Sequence, residues 1–83
     1  MSEAEELIQQ AAEVAHQATR FDSSGSEQAA AYYYEQAASL LDRAASLGAA
    51  SPSINDKINQ YRARAATLHQ TIGEQFIYLI ILT

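Results

Sequence analysis

The fold is decided by the stretch Asp56-Lys57-Ile58-Asn59-Gln60-Tyr61-Arg62-Ala63-Arg64-Ala65-Ala66-Thr67-Leu68. In and around it, apolar side chains recur with the spacing 4-3-4-3-4, at Ile54, Ile58, Tyr61, Ala65, Leu68 and Ile72. An α-helix brings residues three and four apart onto one face. The stretch therefore predicts an amphipathic helix, the third of the chain, that buries this stripe against other helices.

Two earlier segments show the same periodicity. Helix one is predicted to start at Glu3, because Ser2 and Glu5 have the spacing of a capping box. Its apolar stripe consists of Ala4, Leu7, Ile8, Ala11, Ala15 and Ala18. Helix two is predicted to begin after Ser24 or Ser26 and to run to Leu47, where Gly48 is a natural C-terminal stop. Its stripe consists of Ala30, Tyr34, Ala37, Leu41 and Ala44.

Helix three is predicted to start near Ser51 and Pro52, since proline suits the first helical position, with Ser53 as the alternative cap. Gly73 is a candidate stop. Three helices of this length with short connections pack antiparallel. We therefore predict an all-α, up-down-up three-helix bundle over residues 1–73, followed by an apolar tail at 74–83. The alternative, a single tetratricopeptide-like pair, cannot bury its faces alone.

Composition limits the classes of function. A net charge of −5 argues against nucleic-acid binding and is compatible with basic or amphipathic partner segments. The absence of cysteine excludes disulfides and thiolate catalysis. The sequence has neither a nucleophile elbow nor a glycine-rich phosphate loop. His16 and His69 lack the carboxylates that would complete a metal site. We expect no enzyme activity, no cofactor and no metal.

Several of these residues also form a family pattern. Helix two has the frame Ala30-x-x-x-Tyr34-x-x-Ala37, and helix three carries Lys57, Tyr61, Arg64, Ala65 and Leu68. In this order, over roughly residues 4–70, they resemble the MIT (microtubule-interacting and trafficking) domain. The stretch from Tyr33 to Tyr61 is most similar to the first MIT domain of MIT-bearing calpains. That similarity implies a cysteine-protease parent whose catalytic residues lie outside this chain.

The resemblance implies a function. MIT domains bind C-terminal tail helices or strands of ESCRT-III subunits. The resemblance therefore implies a cytoplasmic adaptor that is recruited to endosomal membranes. Small residues on helix faces leave shallow grooves that a partner helix can fill. The predicted groove between helices two and three is lined by Ala38, Leu41, Ala45, Ile58, Arg62 and Ala65. The predicted groove between helices one and three is lined by Ile8, Ala11, Ala15, Tyr61 and Leu68.

Two positions depart from typical family members. Arg62 replaces the leucine that follows the helix-three tyrosine, and Ala66 replaces an acid. In the family these two residues hold a leucine and an arginine of the partner helix in one of the grooves. Either that groove accepts a changed partner, such as an acidic one that meets Arg62, or the other groove is used.

Other side chains have structural interpretations. The consecutive residues Tyr32, Tyr33 and Tyr34 point in three directions around helix two. Tyr34 is predicted to lie in the core and one neighbour to be partly buried, which leaves an exposed edge. Arg64 is predicted to pair with Asp22, or with another acid, and so to tie helix three to the first turn.

The tail from Phe76 to Leu82 is apolar, has no helical period and is too short to span a bilayer. We therefore expect no direct membrane insertion. Four interpretations of the tail are open. It continues helix three and covers a groove, or it pairs between chains as an edge strand or aggregates. Alternatively, it begins a truncated further segment, or it is foreign to the domain. The chain is expected to be a monomer unless this tail self-associates. A second hypothesis for the function is accordingly a structural module for self-association.

Overall fold

The computed structural model describes residues 2–82, and over this range the chain forms three α-helices. Helix α1 spans Glu3–Ser23, α2 spans Glu27–Ala44 and α3 spans Pro52–Leu82, with a π-helical turn at Ala45–Ala49 between α2 and α3. The predicted all-α three-helix bundle is confirmed. Met1 and Thr83, the outer ends of the two predicted segments, lie outside the described residues.

Two of the predicted N-terminal caps are present. Ser2 Oγ accepts a hydrogen bond from the Glu5 backbone N–H at 3.1 Å. Ser51 Oγ accepts one from the Ile54 backbone N–H, also at 3.1 Å, with Pro52 as the first helical residue. Each hydroxyl satisfies an N–H group that the first helical turn leaves without a partner.

Of the two candidate caps of α2, Ser26 occupies the N-cap position, although its side chain makes no capping hydrogen bond. Ser24 Oγ instead donates to the Phe21 carbonyl oxygen at 3.0 Å, at the end of α1. The backbone turns left-handed between these helices at Gly25, where φ is +82°.

The two predicted glycine stops, Gly48 and Gly73, have different outcomes. Gly48 has φ +103°, a non-helical conformation inside the π-helical turn Ala45–Ala49, so regular helical geometry after α2 is interrupted at the predicted stop. The predicted stop at Gly73 is wrong, because α3 runs through it to Leu82. Gly73 is not among the glycines with positive φ, and a glycine ends a helix where the backbone adopts that conformation. The predicted division into 1–73 and 74–83 is therefore crossed by one continuous helix.

Helix α2 lies in the middle of the bundle and packs against both α1 and α3. The start of α1 lies beside the end of α2, near Arg43, and the start of α2 lies beside Ile72 of α3, so neighbouring helices are antiparallel. The core contains two clusters of buried residues. One consists of Ala18, Ala30, Ala31, Tyr34, Ala65 and Leu68, and the other of Ala11, Ala38, Leu41 and Ile58.

The three consecutive tyrosines have the predicted distribution. Tyr34 is buried, Tyr33 is half-buried and Tyr32 is exposed. The Tyr33 ring stacks on Phe21 with 5.4 Å between centroids, and the Tyr34 ring lies 6.0 Å from Tyr61. These pairs join α2 to α1 and to α3 and add to the energy of simple burial.

Beyond the bundle, α3 continues as an exposed helix that does not cover a groove. Its residues 76–82 are all exposed, and the molecule measures 54 Å along its longest axis. We call residues 76–82 the α3 extension. No helix within residues 2–82 combines the length and the apolar character needed to cross a membrane.

Candidate functional site

A cluster of three polar side chains joins all three helices at one end of the bundle. Asp22 lies in α1, Tyr34 in α2 and Arg64 in α3. Arg64 Nε donates to Asp22 Oδ2 at 2.8 Å, and its Nη2 donates to Asp22 Oδ1 at 2.7 Å. The Tyr34 hydroxyl donates to Asp22 Oδ2 at 3.0 Å. This two-point geometry is the strong form of an arginine–carboxylate pair, and it confirms the predicted pairing.

The cluster shifts the pKa values of its members. The hydrogen bond from Arg64 is the main cause that lowers the pKa of the Asp22 carboxyl, and the bond from Tyr34 lowers it further against an opposing effect of burial. Burial is the main cause that raises the pKa of the Tyr34 hydroxyl. Both groups thus keep the charge states that the hydrogen bonds require. The cluster is a structural clasp between helices.

This clasp predicts acid sensitivity. Because folding lowers the pKa of Asp22 below its ordinary value of 3.8, its stabilising contribution is complete above that value. The contribution is lost as the pH falls through the lowered pKa. We expect Asp22→Asn to reduce the free energy of unfolding by about 1–3 kcal/mol at neutral pH. The substitution also flattens the loss of stability in acid, as measured by urea unfolding at several pH values.

A matched control for this substitution is Asp42→Asn. The Asp42 ion pair with Arg62 spans 3.7 Å, and both side chains are more than half exposed. Exposed pairs of this kind contribute little to stability. The control should unfold like the parent chain and keep its acid sensitivity. Equal behaviour of the two variants would contradict the role of the clasp.

A second feature is a groove on the surface between α2 and α3, with a volume of about 510 Å³. We call it the α2/α3 groove, and its lining residues are Glu35, Gln36, Ser39, Arg62, Ala66 and His69. The small side chains of Ser39 and Ala66 leave room between two helices that are in contact beneath them. Such a depression between antiparallel helices has the shape to receive a further helix.

Charged groups lie at both ends of this groove. His69 Nε2 is 2.9 Å from Glu35 Oε1, and Arg62 Nη2 is 3.7 Å from Asp42 Oδ2. All four side chains are about half exposed or more. Water therefore screens both pairs, and a partner can replace either one at little energetic cost.

The residues predicted to line this groove mostly lie beneath it. Ala38 and Ala65 are each 1% exposed, and Leu41 and Ile58 are each 5% exposed, so these four belong to the core. Ala45 is half-buried in the π-helical turn, and Arg62 is exposed at the surface. Of this predicted set, only Arg62 lines the observed groove. Peptide contact by these residues stays a prediction.

The set predicted between helices one and three is distributed in the same way. Ala11, Ala15 and Leu68 are buried, whereas Ile8 and Tyr61 are half-buried. Tyr61 packs against both core clusters and Ile8 packs against one. These side chains hold the bundle together, and their role in binding also stays a prediction.

Sequence reasoning missed four residues that line the α2/α3 groove, namely Glu35, Gln36, Ser39 and His69. Ala66 was identified as a contact position of the family but was not assigned to this groove. The available signal was their helical spacing. Positions 62, 66 and 69 share one face of α3 next to the apolar stripe, and positions 35 and 39 share one face of α2. Residues that flank a buried stripe form the rim of an interhelical groove.

The family model of the MIT (microtubule interacting and transport) domain matches residues 8–70, which is more than half of the chain. The chain belongs to the MIT family. The match covers α1 from Ile8, all of α2, and α3 up to Gln70, and it includes the clasp and the α2/α3 groove. Neither the curated proteins nor the solved structures contain a significant match to the chain.

Membership of the MIT family indicates a protein-interaction module. MIT domains are protein-interaction domains that bind peptide partners, and the family is not catalytic. The clasp and the core position α2 and α3, and these helices present the groove. Within residues 2–82, no group of three or more histidine, cysteine, aspartate or glutamate side chains is arranged to hold a metal ion.

Proposed function

We propose that this MIT domain docks the C-terminal tail peptides of ESCRT-III subunits in the α2/α3 groove. By doing so it recruits the protein that contains it to endosomal membranes from the cytoplasm. One observation carries the choice of groove: Ser39 and Ala66 leave space between α2 and α3, flanked by the exposed Arg62–Asp42 ion pair and the exposed contact of His69 with Glu35. A short amphipathic helix fits this combination of room and charge.

The charged residues of the groove indicate which side chains the partner helix carries. A carboxylate of the partner competes with Asp42 for Arg62, because the existing pair is long and exposed. A basic side chain of the partner meets Glu35 at the other end of the groove. Small or apolar residues between these charges lie over Ala66 and Ser39.

The similarity of the stretch from Tyr33 to Tyr61 to MIT-bearing calpains supports a narrower proposal. Here the parent protein is a cysteine protease, and this domain supplies its localisation. The chain itself then acts as an adaptor, and the catalytic residues lie elsewhere in the parent.

The test is an NMR titration of the isotopically labelled chain with a panel of ESCRT-III C-terminal tail peptides. We expect saturable shifts of the amides around Ser39 and Ala66. Shifts confined to α1 and α3 would contradict the choice of groove. A folded chain that responds to no peptide would contradict the ESCRT-III proposal.

A matched pair of variants sharpens this titration. Ala66→Leu fills the groove, and we expect it to raise the dissociation constant at least about tenfold, through lost complementarity. Ala63→Leu makes the same change at an exposed position of α3 that does not line the groove. It should bind like the parent chain. If both variants bind normally, the peptide does not occupy the α2/α3 groove.

A further inference from the structure

The α3 extension is the largest apolar surface of the described chain. Its seven residues are Phe76, Ile77, Tyr78, Leu79, Ile80, Ile81 and Leu82, and each is between 57% and 74% exposed. Outside the extension, the only large hydrophobic residues exposed among residues 2–82 are Tyr32 and Leu47. Apolar side chains thus surround this part of the helix, an arrangement typical of helices that are buried.

The size of this surface matches a protein interface. An aromatic side chain buries about 150–250 Å² when it is fully covered. At the observed exposures, the seven side chains present roughly 800 Å² on each chain. Monomeric proteins rarely expose so much apolar surface. Because the side chains surround the helix, one partner covers only one face, and the burial of about 800 Å² per chain that is typical of a stable interface requires partners on more than one face.

Charge argues against an anionic membrane as the surface that covers the extension. No lysine or arginine follows Arg64 in the sequence, and the net charge of the chain is −5. An anionic lipid surface attracts basic segments and would repel this chain.

Geometry prevents the chain from covering the extension itself. The extension continues α3 without a break, so it points away from the bundle and cannot fold back onto the grooves. The bundle ends where the start of α2 meets Ile72 and Gln75. An extension that projects in this way can meet the same segment of another molecule, with the two bundles at opposite ends of the contact.

We propose that copies of this chain associate through the α3 extension, packed as antiparallel helices. No side chain from Gln75 onward is charged, so two copies of the segment can approach without charge repulsion. One face, which includes Phe76 and Ile80 at a spacing of four, packs against a second copy. A further pair covers the remaining face.

Sedimentation equilibrium of the full chain over a wide range of concentrations tests this proposal. We expect a mass that rises with concentration from one copy to two or more. Replacement of Phe76 and Ile80 by glutamine should raise the dissociation constant by about a hundredfold or more, because each lost side chain removes substantial apolar burial. Circular dichroism should show that this variant keeps its helical bundle.

The matched control replaces Tyr32 and Leu47 by glutamine. These two residues are also apolar and more than half exposed, but they lie outside the extension. The control should associate like the parent chain. If association weakened equally in both variants, it would be nonspecific hydrophobic association, and the proposal would be overturned.

Three further results would overturn it. The first is a chain that stays monomeric at every concentration. The second is binding of the monomer to phosphatidylcholine vesicles, which would show that lipid covers the extension. The third is association accompanied by a β-rich spectrum, which would indicate strand pairing. None of these results bears on the α2/α3 groove, so this proposal and the proposed function are tested independently.

Discussion

Replacement of Leu68 by alanine is expected to lower the free energy of unfolding by about 2–5 kcal/mol, the usual range for a buried leucine. Leu68 is 3% exposed and belongs to the core cluster that joins α3 to the alanines of α1 and α2. Truncation leaves a cavity among rigid helix faces that cannot collapse to fill it. A domain of this size has a total stability of about 5–15 kcal/mol, so the variant approaches the unfolding threshold at room temperature.

Urea unfolding monitored by circular dichroism measures this effect. The matched control is Leu47→Ala, which removes the same atoms from a side chain that is 51% exposed in the π-helical turn. The control should lie within about 0.5 kcal/mol of the parent chain. A small effect of Leu68→Ala would show that α3 is not held to the bundle through this cluster.

The second large effect is expected from adding volume. Ala18 of α1 is fully buried, in a cluster with Ala30 and Ala31 of α2, which are also 0% exposed. Alanine at all three positions lets these helices approach closely, and a leucine side chain at position 18 has no space. We expect Ala18→Leu to cost about 1–3 kcal/mol through displaced helices and strained rotamers.

Thermal and urea unfolding of Ala18→Leu check this expectation. Ala12→Leu is the control, since it makes the same change at an exposed position of the same helix. Alanine and leucine have similar helix propensities, so the control isolates packing from propensity. If Ala18→Leu were as stable as Ala12→Leu, the close approach of α1 and α2 would be contradicted.

The fold followed from local rules applied to particular residues. The 4-3 spacing around Tyr61 predicted α3, and the caps at Ser2 and Ser51 predicted where α1 and α3 begin. Gly48 predicted the end of the second helical segment. These signals act within one or two turns of a helix, so the sequence alone is enough to read them.

Local rules were insufficient at two places, the end of α3 and the lining of the groove. Glycine is the residue type that most often ends a helix, but Gly73 lies inside a continuous helix, because residue type alone does not determine φ. Most of the predicted groove residues, such as Ala38 and Ile58, are buried, and their contact with a peptide stays a prediction. A stripe shows which side chains face the neighbouring helices. Which flanking residues line a groove depends on how the helices are rotated about their axes. Ala66, for example, flanks the stripe of α3 and lines the α2/α3 groove.

The alanine-rich packing of α1 against α2 has a thermodynamic consequence. Alanine side chains expose little apolar area when the chain unfolds. Both the heat-capacity increment of unfolding and the slope of the free energy against urea concentration scale with that area. We therefore expect a small heat-capacity increment and a shallow urea slope for a domain of this length, which give a flat stability curve and a broad urea transition.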